Sequence, residues 1–350
     1  MSPAAVDTAL SPFLAAASGK RITHTPVWFM RQAGRSLPEY RAIRGEGSIL
    51  DAIKQPRLAA DITLQPVTRY GVDAAVLYSD IVVPAHAVGF GIDVAPGTGP
   101  VAEQPFRVHA DLQRLREFEP ETDTPYVLET VRMLASELKV PLLAFAGAPF
   151  TVGSYLVEGK PSRDHLITKQ MMTAESQLWH DLMQRLAQHA VASLRSQLDA
   201  GASAYQLFDS WAGNLTQDQY RDAVLPHSAY VISELKRSHP HAPSIHFGVG
   251  CDHLLELMHS AGATVMGLDW RTSIVDARAR LGKDTIIQGN LDPSLVQGDI
   301  ATALKGADAV LADNANHPGH IFNLGHGVTP GVNPDVLTAV VQHVHERTSS

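Results

Sequence analysis

Residues 173–209 read TAESQLWHDLMQRLAQHAVASLRSQLDAGASAYQLFD, and this stretch indicates the fold. Leucine or alanine recurs every fourth residue from Leu178 to Leu198, which predicts an amphipathic helix that Gly201 ends. The nearly continuous apolar run AYQLFD (204–209) follows, as expected of a parallel strand that is covered on both faces. The stretch therefore reads as a crossover helix that leads into a parallel strand.

Seven further apolar runs extend this pattern along the chain, and each ends in polar residues or glycine: PVWFM (26–30), DAAVLYS (73–79), PLLAFAG (141–147), SIHFGV (244–249), TVMGLD (264–269), TIIQG (285–289) and GHIFNLG (319–325). Helical patterns lie between them, for example over 252–262 and 272–282, and Asn333 and Pro334 begin a last helix. Ser273 with Asp276 is the cap signal of the helix at 272–282. Eight strands that alternate with helices predict an α/β fold of the (β/α)8 TIM-barrel type.

The chain is expected to form a single domain, because no linker, composition shift or internal repeat divides it. Residues 1–20 are predicted to be a helical lead-in and residues 21–350 the barrel, with a hairpin excursion over the Gly/Pro-rich segment 89–105. The main rival is a doubly wound open sheet. The sequence lacks both a G-x-G-x-x-G after its first strand and a G-x-x-x-x-G-K-[ST] loop, which disfavours that rival.

Composition excludes several classes of function. The 350 residues carry a formal net charge of -8, which argues against general nucleic-acid binding. The single cysteine, Cys251, excludes an intrachain disulfide and any metal site that needs two thiolates. The first 20 residues resemble neither a secretory signal nor a transit peptide, and no apolar run reaches the length of a membrane span. We therefore expect a cytoplasmic protein.

Polar residues that directly follow the apolar runs are the candidates for a site, because the active site of such a barrel lies at the C-terminal ends of its strands. Arginine binds carboxylates through two parallel hydrogen bonds, so Arg31 and Arg35 suit a ligand with several carboxylates. Asp80 instead suits a cationic or N–H-rich centre within such a ligand. The candidates in chain order are Arg31 to Arg35, Asp80, Tyr155, Ser210, Asn290 and His326.

Each candidate also has a structural interpretation. The four arginines between residues 31 and 44 could be solvated, or could pair with Glu39 and Glu46. Asp80 could be a helix N-cap after a strand. The tyrosine, serine and histidine candidates could each be ordinary core or loop residues. Only their joint placement at strand ends favours a functional site.

Other catalytic classes find little support in the sequence. It contains no H-E-x-x-H and no G-x-S-x-G, so zincin and α/β-hydrolase chemistry are not indicated. Asp80 and Asp209 could form the carboxylate pair of a glycosidase. Such sites hold sugars on aromatic side chains, however, and only 6% of the residues are aromatic.

Several segments resemble the uroporphyrinogen decarboxylase family. PVWFMRQAGRSLPEYR (26–41) and FAGAPFTVGSYLVEG (145–159) resemble its two signature segments. AVLYSDIVVP, QLFDSWAG, GLDW, QGNLDP and FNLGHGVTP resemble its other strand-end blocks, and all of them occur in the family's order. The resemblance runs from about residue 21 to the C-terminus.

The resemblance implies a (β/α)8 barrel that forms a homodimer and acts without a metal or an organic cofactor in haem and related tetrapyrrole biosynthesis. Such an enzyme converts the four acetate side chains of uroporphyrinogen III to methyl groups, which gives coproporphyrinogen III and four CO2. Motif matches imply a substrate-binding loop at Arg31, Gln32, Ala33, Gly34 and Arg35, catalytic roles for Asp80 and Arg31, and a cleft lined by Tyr155, Ser210 and His326. Asp80 is expected to face the pyrrole N–H groups, and Arg41 and Arg44 are expected to support the loop from behind.

Two other functions remain as alternatives within the same fold family. A corrinoid-linked methyltransferase would need a His-x-Cys zinc site with a second, distant cysteine, whereas Gly248 stands where that first cysteine would be. A non-catalytic tetrapyrrole-binding homologue is the other alternative. The presence of Arg31, Arg35 and Asp80 together argues against it.

Overall fold

Residues 11–349 are described by a computed structural model. They form nine strands: β1 (Ala75–Val76), β2 (Ile92–Ala95), β3 (Gly99–Ala102), β4 (Leu142–Gly147), β5 (Ala204–Asp209), β6 (Ser244–Gly248), β7 (Val265–Gly267), β8 (Ile286–Gln288) and β9 (His320–Ile321). The α-helices are α1 (Pro12–Ala16), α2 (Ala33–Ser36), α3 (Pro38–Arg44), α4 (Ile49–Ile53), α5 (Pro56–Tyr70), α6 (Val83–Ala87), α7 (Pro120–Asp123), α8 (Pro125–Glu137), α9 (Pro149–Glu158), α10 (Leu166–Ala174), α11 (Ser176–Asp199), α12 (Gln217–Ala223), α13 (Leu225–Ser238), α14 (Leu255–Ser260), α15 (Ile274–Leu281), α16 (Ile300–Asn314) and α17 (Pro334–Thr348).

Seven of the strands form one parallel sheet in the order β1-β4-β5-β6-β7-β8-β9, and helices follow them along the chain. The remaining two strands, β2 and β3, form a separate antiparallel hairpin, as the Gly/Pro-rich segment 89–105 predicts. The long helix α11 buries its leucine stripe and leads into β5, as residues 173–209 predict. The α/β barrel prediction is confirmed.

The first predicted strand, residues 26–30, is reduced to a single bridge between Val27 and Phe322. On the side of β9, the Trp28 N–H donates to the Phe322 carbonyl (3.3 Å) and the Phe322 N–H donates to the Pro26 carbonyl (2.8 Å). On the side of β1, the Asp73 N–H donates to the Val27 carbonyl (2.8 Å), but the Val27 N–H donates to the Asp73 carboxylate (2.7 Å). A side chain thus replaces a backbone acceptor, so the barrel closes without a regular ladder.

A hydrogen-bonded network inside the barrel fixes this closing segment. The indole N–H of Trp28 donates to Gln288 Oε1 (2.9 Å), and Gln288 Nε2 donates to Gln206 Oε1 (2.8 Å). Gln206 Nε2 in turn lies 3.4 Å from the sulfur of Met30. A buried polar network whose members are satisfied specifies one arrangement of the core. The network therefore holds residues 28–30 against β5 and β8, directly before Arg31.

Local signals at the helix ends agree with the sequence. Ser273 Oγ accepts from the Asp276 N–H at the start of α15, and Asn333 Oδ1 accepts from the Asp335 N–H at the start of α17. Segment 252–262 is divided into a 3-10 turn at Asp252–Leu254 and the short helix α14.

Among residues 11–349, no helix combines the length and the apolar character that crossing a membrane requires.

The division into a lead-in and a barrel stays a prediction. Helix α1 lies within the predicted lead-in, where Ser11 Oγ accepts from the Leu14 N–H as an N-cap. Residues 1–10 of the lead-in, and Ser350, lie outside the described residues.

Candidate active site

The loop after the closing segment projects Arg31 from the C-terminal end of the barrel. Arg31 has φ of 57°, in the left-handed region that costs a residue other than glycine about 1 kcal/mol or more. Two backbone hydrogen bonds fix the loop to residues 328–331: the Val328 N–H donates to the Met30 carbonyl (2.8 Å) and the Gly331 N–H donates to the Arg35 carbonyl (3.1 Å). The sequence forms helix α2 immediately afterwards, so Arg31 lies between a barrel strand and a helix.

The arginines of this loop do not pair with the glutamates near them in sequence. Within residues 11–349, no carboxylate oxygen lies within 4.0 Å of the guanidinium groups of Arg31, Arg35, Arg41 or Arg44. Glu39 instead lies 3.8 Å from Arg69. The interpretation of the cluster as a set of surface ion pairs is therefore wrong.

The four arginines have different surroundings. Arg44 donates to the carbonyl oxygens of Gly45 (3.0 Å) and Gly47 (2.6 Å). These two hydrogen bonds fix the conformation of the loop after α3. Arg41 is exposed. Arg35 is half-buried, and burial together with the positive charge of Arg31 lowers the pKa of Arg35. Two arginines near each other without a carboxylate partner can hold an anionic ligand.

Asp80 lies just beyond β1 and is half-buried. Its Oδ1 accepts from the Val82 N–H (3.0 Å), one residue before α6, so the interpretation as a helix cap is correct in part. Burial raises the pKa of Asp80, and the Val82 N–H and the positive charge of Arg31 oppose this rise. The carboxylate of Asp80 thus fixes the backbone at the start of α6 and also interacts with the positive charge of Arg31.

Tyr155 lies on α9, the helix that follows β4. Its ring packs edge-on against the ring of Trp211, with 6.0 Å between centroids. Burial raises the pKa of Tyr155, a hydrogen bond with Trp211 and the charge of Arg31 lower it, and the charge of Asp80 raises it further. The charges of Arg31 and Asp80 therefore both influence the pKa of Tyr155. Ser210, which is partly exposed, lies between the end of β5 and Trp211.

His326 follows the last barrel strand and lies next to Arg31. Its Nδ1 accepts from the Gly327 N–H (2.5 Å), which leaves Nε2 as the protonated nitrogen of the neutral ring. Burial and the charge of Arg31 lower the pKa of His326 to about 4, so the ring is neutral at pH 7. A Cβ atom on Gly327 would lie 2.9 Å from Cδ of Arg31, so the arginine stem packs directly on this glycine.

The structure thus brings five of the candidates into one electrostatic environment, centred on Arg31: Arg31, Arg35, Asp80, Tyr155 and His326. Gln32 and Ala33 are buried and Gly34 is exposed. Asn290 has a structural place, because its Nδ2 donates to the carbonyl oxygens of Asp269 (2.9 Å) and Thr272 (2.5 Å).

The sequence analysis matched GLDW (267–270) to a strand-end block of the family but named no site residue in the turn after β7, residues 269–272. Asp269 Oδ2 accepts from the Gly250 N–H (2.5 Å) and from Arg271 Nη1 (2.6 Å). The Arg271 guanidinium lies 3.8 Å from the ring centroid of Trp270, and its charge acts on His326. The run TVMGLD predicted a strand, so its end could have been searched for polar residues like the other strand ends.

The geometry argues against two alternative chemistries, which are glycosidase catalysis by Asp80 and Asp209 and zinc–thiolate methyl transfer at Cys251. Asp209 is fully buried and its Oδ1 accepts from Thr151 Oγ1 (3.0 Å), so it cannot pair with Asp80 across an open sugar cleft. Cys251 is buried, its sulfur lies 3.5 Å from the Val249 carbonyl oxygen, and burial raises its thiol pKa. A thiol in this state is a poor nucleophile and a poor metal ligand.

Comparison with known proteins identifies the family. The model of the family described as Uroporphyrinogen decarboxylase (URO-D) matches residues 8–347. This chain belongs to the uroporphyrinogen decarboxylase family. A uroporphyrinogen decarboxylase from Salinispora tropica is 53% identical over 98% of this chain and 92% of its own length. One from Streptomyces griseus subsp. griseus is 52% identical over 97% of this chain and 92% of its own length.

Solved structures of more distant proteins share the fold. A methyltransferase from Methanosarcina mazei superposes with a TM-score of 0.79 at 17% identity, over 97% of this chain and 98% of that chain. A B12-independent methionine synthase from Shewanella sp. W3-18-1 superposes with a TM-score of 0.55 at 12% identity, over 87% of this chain and 91% of that chain. Likenesses at such low identity show the fold alone.

The influence of Arg31 on Asp80 yields a prediction that does not depend on function. In Arg31→Gln, the pKa of Asp80 should be higher than in the wild type, because the positive charge that opposes the rise is removed while burial still disfavours the carboxylate. A carbon NMR titration of the Asp80 carboxyl group measures this change. Arg41→Gln, an exposed arginine of the same segment, is the matched control and should leave the pKa of Asp80 where it is. Equal pKa values in all three proteins would contradict the proximity of Arg31 to Asp80.

Proposed function

We propose that this chain is a carboxy-lyase that converts the four acetate side chains of uroporphyrinogen III to methyl groups, giving coproporphyrinogen III and four CO2. The proposal rests on membership of the family and on relatives of about 50% identity with that name. The observation that carries it at the level of the site is the carboxylate of Asp80 in the field of Arg31, while neither Arg31 nor Arg35 has a carboxylate within 4.0 Å among residues 11–349. We propose that the reaction uses no metal ion and no organic cofactor.

The arginines account for the charge of the substrate. Uroporphyrinogen carries eight carboxylates, and guanidinium groups hold carboxylates through parallel, charge-assisted hydrogen bonds. Arg31 and Arg35 would hold substrate carboxylates through the loop 31–35, in which Gln32, Ala33 and Gly34 shape the backbone. Tyr155, Ser210 and the Nε2–H of His326 would contact the remaining side chains and the macrocycle.

Asp80 accounts for the chemistry. Loss of CO2 from a pyrrole acetate leaves an electron pair on the side-chain carbon. The pyrrole ring accepts this pair once a proton has been added to the ring carbon next to the one that carries the acetate. That proton makes the pyrrole nitrogen cationic. After the carbon–carbon bond breaks, the exocyclic carbon takes a proton and becomes a methyl group, while the ring carbon releases one. An ionised Asp80 facing the N–H groups would stabilise the cation, by on the order of 3 to 4 kcal/mol for a preorganised charge of this kind.

Arg31 has a catalytic role through its charge in this scheme. A guanidinium group releases its proton poorly, so we assign Arg31 to holding the reacting acetate and to keeping Asp80 ionised. His326 is neutral near pH 7, because its pKa lies at about 4, and it is therefore a hydrogen-bond donor rather than a counter-charge.

The family likeness also supports an oligomeric state, a compartment and a pathway for the enzyme. We propose that the enzyme works as a homodimer in the cytoplasm, in haem and related tetrapyrrole biosynthesis. A corrinoid-linked methyltransferase is the second function that this fold can carry. Gly248 occupies the position of its first zinc-binding cysteine, and the sequence has no second thiol beside Cys251. We therefore do not favour it.

Anaerobic incubation of the purified enzyme with uroporphyrinogen III tests the proposed function. The products are oxidised and their carboxylates are counted by chromatography and mass spectrometry. We expect species with seven, six and five carboxylates to appear and to converge on four, in buffer that contains a chelator. Substrate that keeps all eight carboxylates would contradict the proposal, and turnover that stops in chelator would contradict independence from a metal.

Arg271 gives a prediction about substrate binding. In Arg271→Gln, the KM for uroporphyrinogen should rise by about fivefold to tenfold, because one rim cation is lost and Asp269 keeps its backbone N–H donors but loses its guanidinium counter-charge. The KM for a pentacarboxylate intermediate should rise less. Steady-state kinetics on both substrates measures the difference. Arg237→Gln, which removes an exposed arginine from α13, is the control. Equal kinetics for Arg271→Gln and the control would contradict a role for Arg271.

A further inference from the structure

A second cluster of polar side chains lies at the end of the barrel opposite to the candidate active site. Among residues 11–349, one group of three side chains places metal-ligating atoms within 4.8 Å of one another: His24, Asp73 and His345. His24 precedes the closing segment, Asp73 precedes β1, and His345 lies on α17. The cluster is therefore at the N-terminal ends of the strands, where the proposed decarboxylation does not use it.

The three donors are arranged around one carboxylate. Nε2 of His24 lies 2.9 Å from Oδ1 of Asp73, and Nε2 of His345 lies 2.8 Å from Oδ2. The centroids of the two imidazole rings are 4.3 Å apart. Ligand atoms that share a tetrahedral zinc ion with bonds of about 2.0 to 2.2 Å lie roughly 3.3 to 3.6 Å apart. The three donor atoms lie within 4.8 Å of one another, so a shared ion requires only that the two histidine–carboxylate hydrogen bonds open by about half an ångström and give way to bonds to the metal.

Further contacts orient two of the three ligands. The Val27 N–H donates to Oδ2 of Asp73 (2.7 Å) and holds the carboxylate between the rings. Nδ1 of His24 lies 3.2 Å from Oγ1 of Thr23, which can accept the Nδ1 proton when Nε2 binds a metal. Metal-bound histidines usually donate their other ring N–H to such a partner, which fixes the tautomer.

We propose that His24, Asp73 and His345 form a structural binding site for one divalent ion of the zinc class, with water as the remaining ligands. Two imidazoles and one carboxylate suit Zn2+, Co2+ or Ni2+, whereas Mg2+ and Ca2+ prefer oxygen ligands. The side chains are 22%, 11% and 26% exposed, so water reaches the open positions. The bound ion would join the N-terminal segment, the start of β1 and the C-terminal helix across the closure of the barrel.

The site can be tested on the full chain, purified without a histidine tag and stripped of metal with a chelator. Calorimetric titration with Zn2+ should show one tight equivalent per chain, and Co2+ should give a visible absorption band with the same stoichiometry. The melting temperature should rise by about 3 °C at a 100-fold excess of Zn2+ over its dissociation constant. Decarboxylation should be the same with and without the ion, so failure here is distinct from failure of the proposed function.

Two variants and a control locate the ion. His24→Gln and His345→Gln keep an amide N–H that can donate to Asp73, so both should fold, and each should lose roughly 100-fold or more in affinity. His180→Gln changes a different histidine pair, in which Nδ1 of the partly exposed His180 lies 2.9 Å from Nε2 of the buried His227, and it should bind the ion like the wild type. Affinity that is equal in all four proteins would overturn the proposal. So would the absence of stoichiometric binding by the wild type in excess metal.

Discussion

The position of Arg31 depends on how the barrel closes. Residues 26–28 bond to β9 on one side, and on the other side the carboxylate of Asp73 takes the place of a backbone acceptor. The interior network of Trp28, Gln288 and Gln206 fixes the same segment from within. Because both constraints act directly before the loop, Arg31 leaves the barrel at one defined point, packed on Gly327.

From that point, Arg31 sets the charge balance of the site. Arg31 and Arg35 have no carboxylate partner in the described chain, and Asp80 is the carboxylate whose pKa Arg31 lowers against burial. A positive rim with one negative group inside suits a polyanion that becomes cationic at its centre. Burial raises the folded-state pKa of Asp80 above its usual value, so the group stabilises the fold below the unfolded-state pKa, and this stabilisation is lost as the pH rises through the folded-state pKa. At neutral pH the ionised carboxylate of Asp80 therefore reduces the stability of the fold.

The sequence predicted those parts of the structure that depend on local patterns. The leucine stripe of α11, the caps of α15 and α17, and seven of the eight strands follow from apolar spacing and cap residues. Local patterns did not predict that the first strand, residues 26–30, is reduced to a single bridge. Its pairing depends on the carboxylate of Asp73, which lies 46 residues away from Val27.

The candidate site shows the same limit. Arg31, Asp80, Tyr155 and His326 could be found because they follow apolar runs, but their electrostatic coupling could not, since it depends on burial. Whether an arginine forms an ion pair with a carboxylate also depends on the tertiary structure. Glu39, adjacent in sequence to the cluster, lies near Arg69 instead. The fold was thus more predictable than the charge state of the groups that it brings together.

In the proposed reaction, an ionised Asp80 stabilises a cation that forms only during turnover. Asp80→Asn isolates this role of the charge, because the amide oxygen can still accept from the Val82 N–H while the charge is gone. Measured anaerobically, kcat should fall by about 100-fold to 1,000-fold, with little change in the affinity for uroporphyrinogen and in the melting temperature. Turnover close to that of the wild type, by a variant that binds and folds normally, would contradict the account.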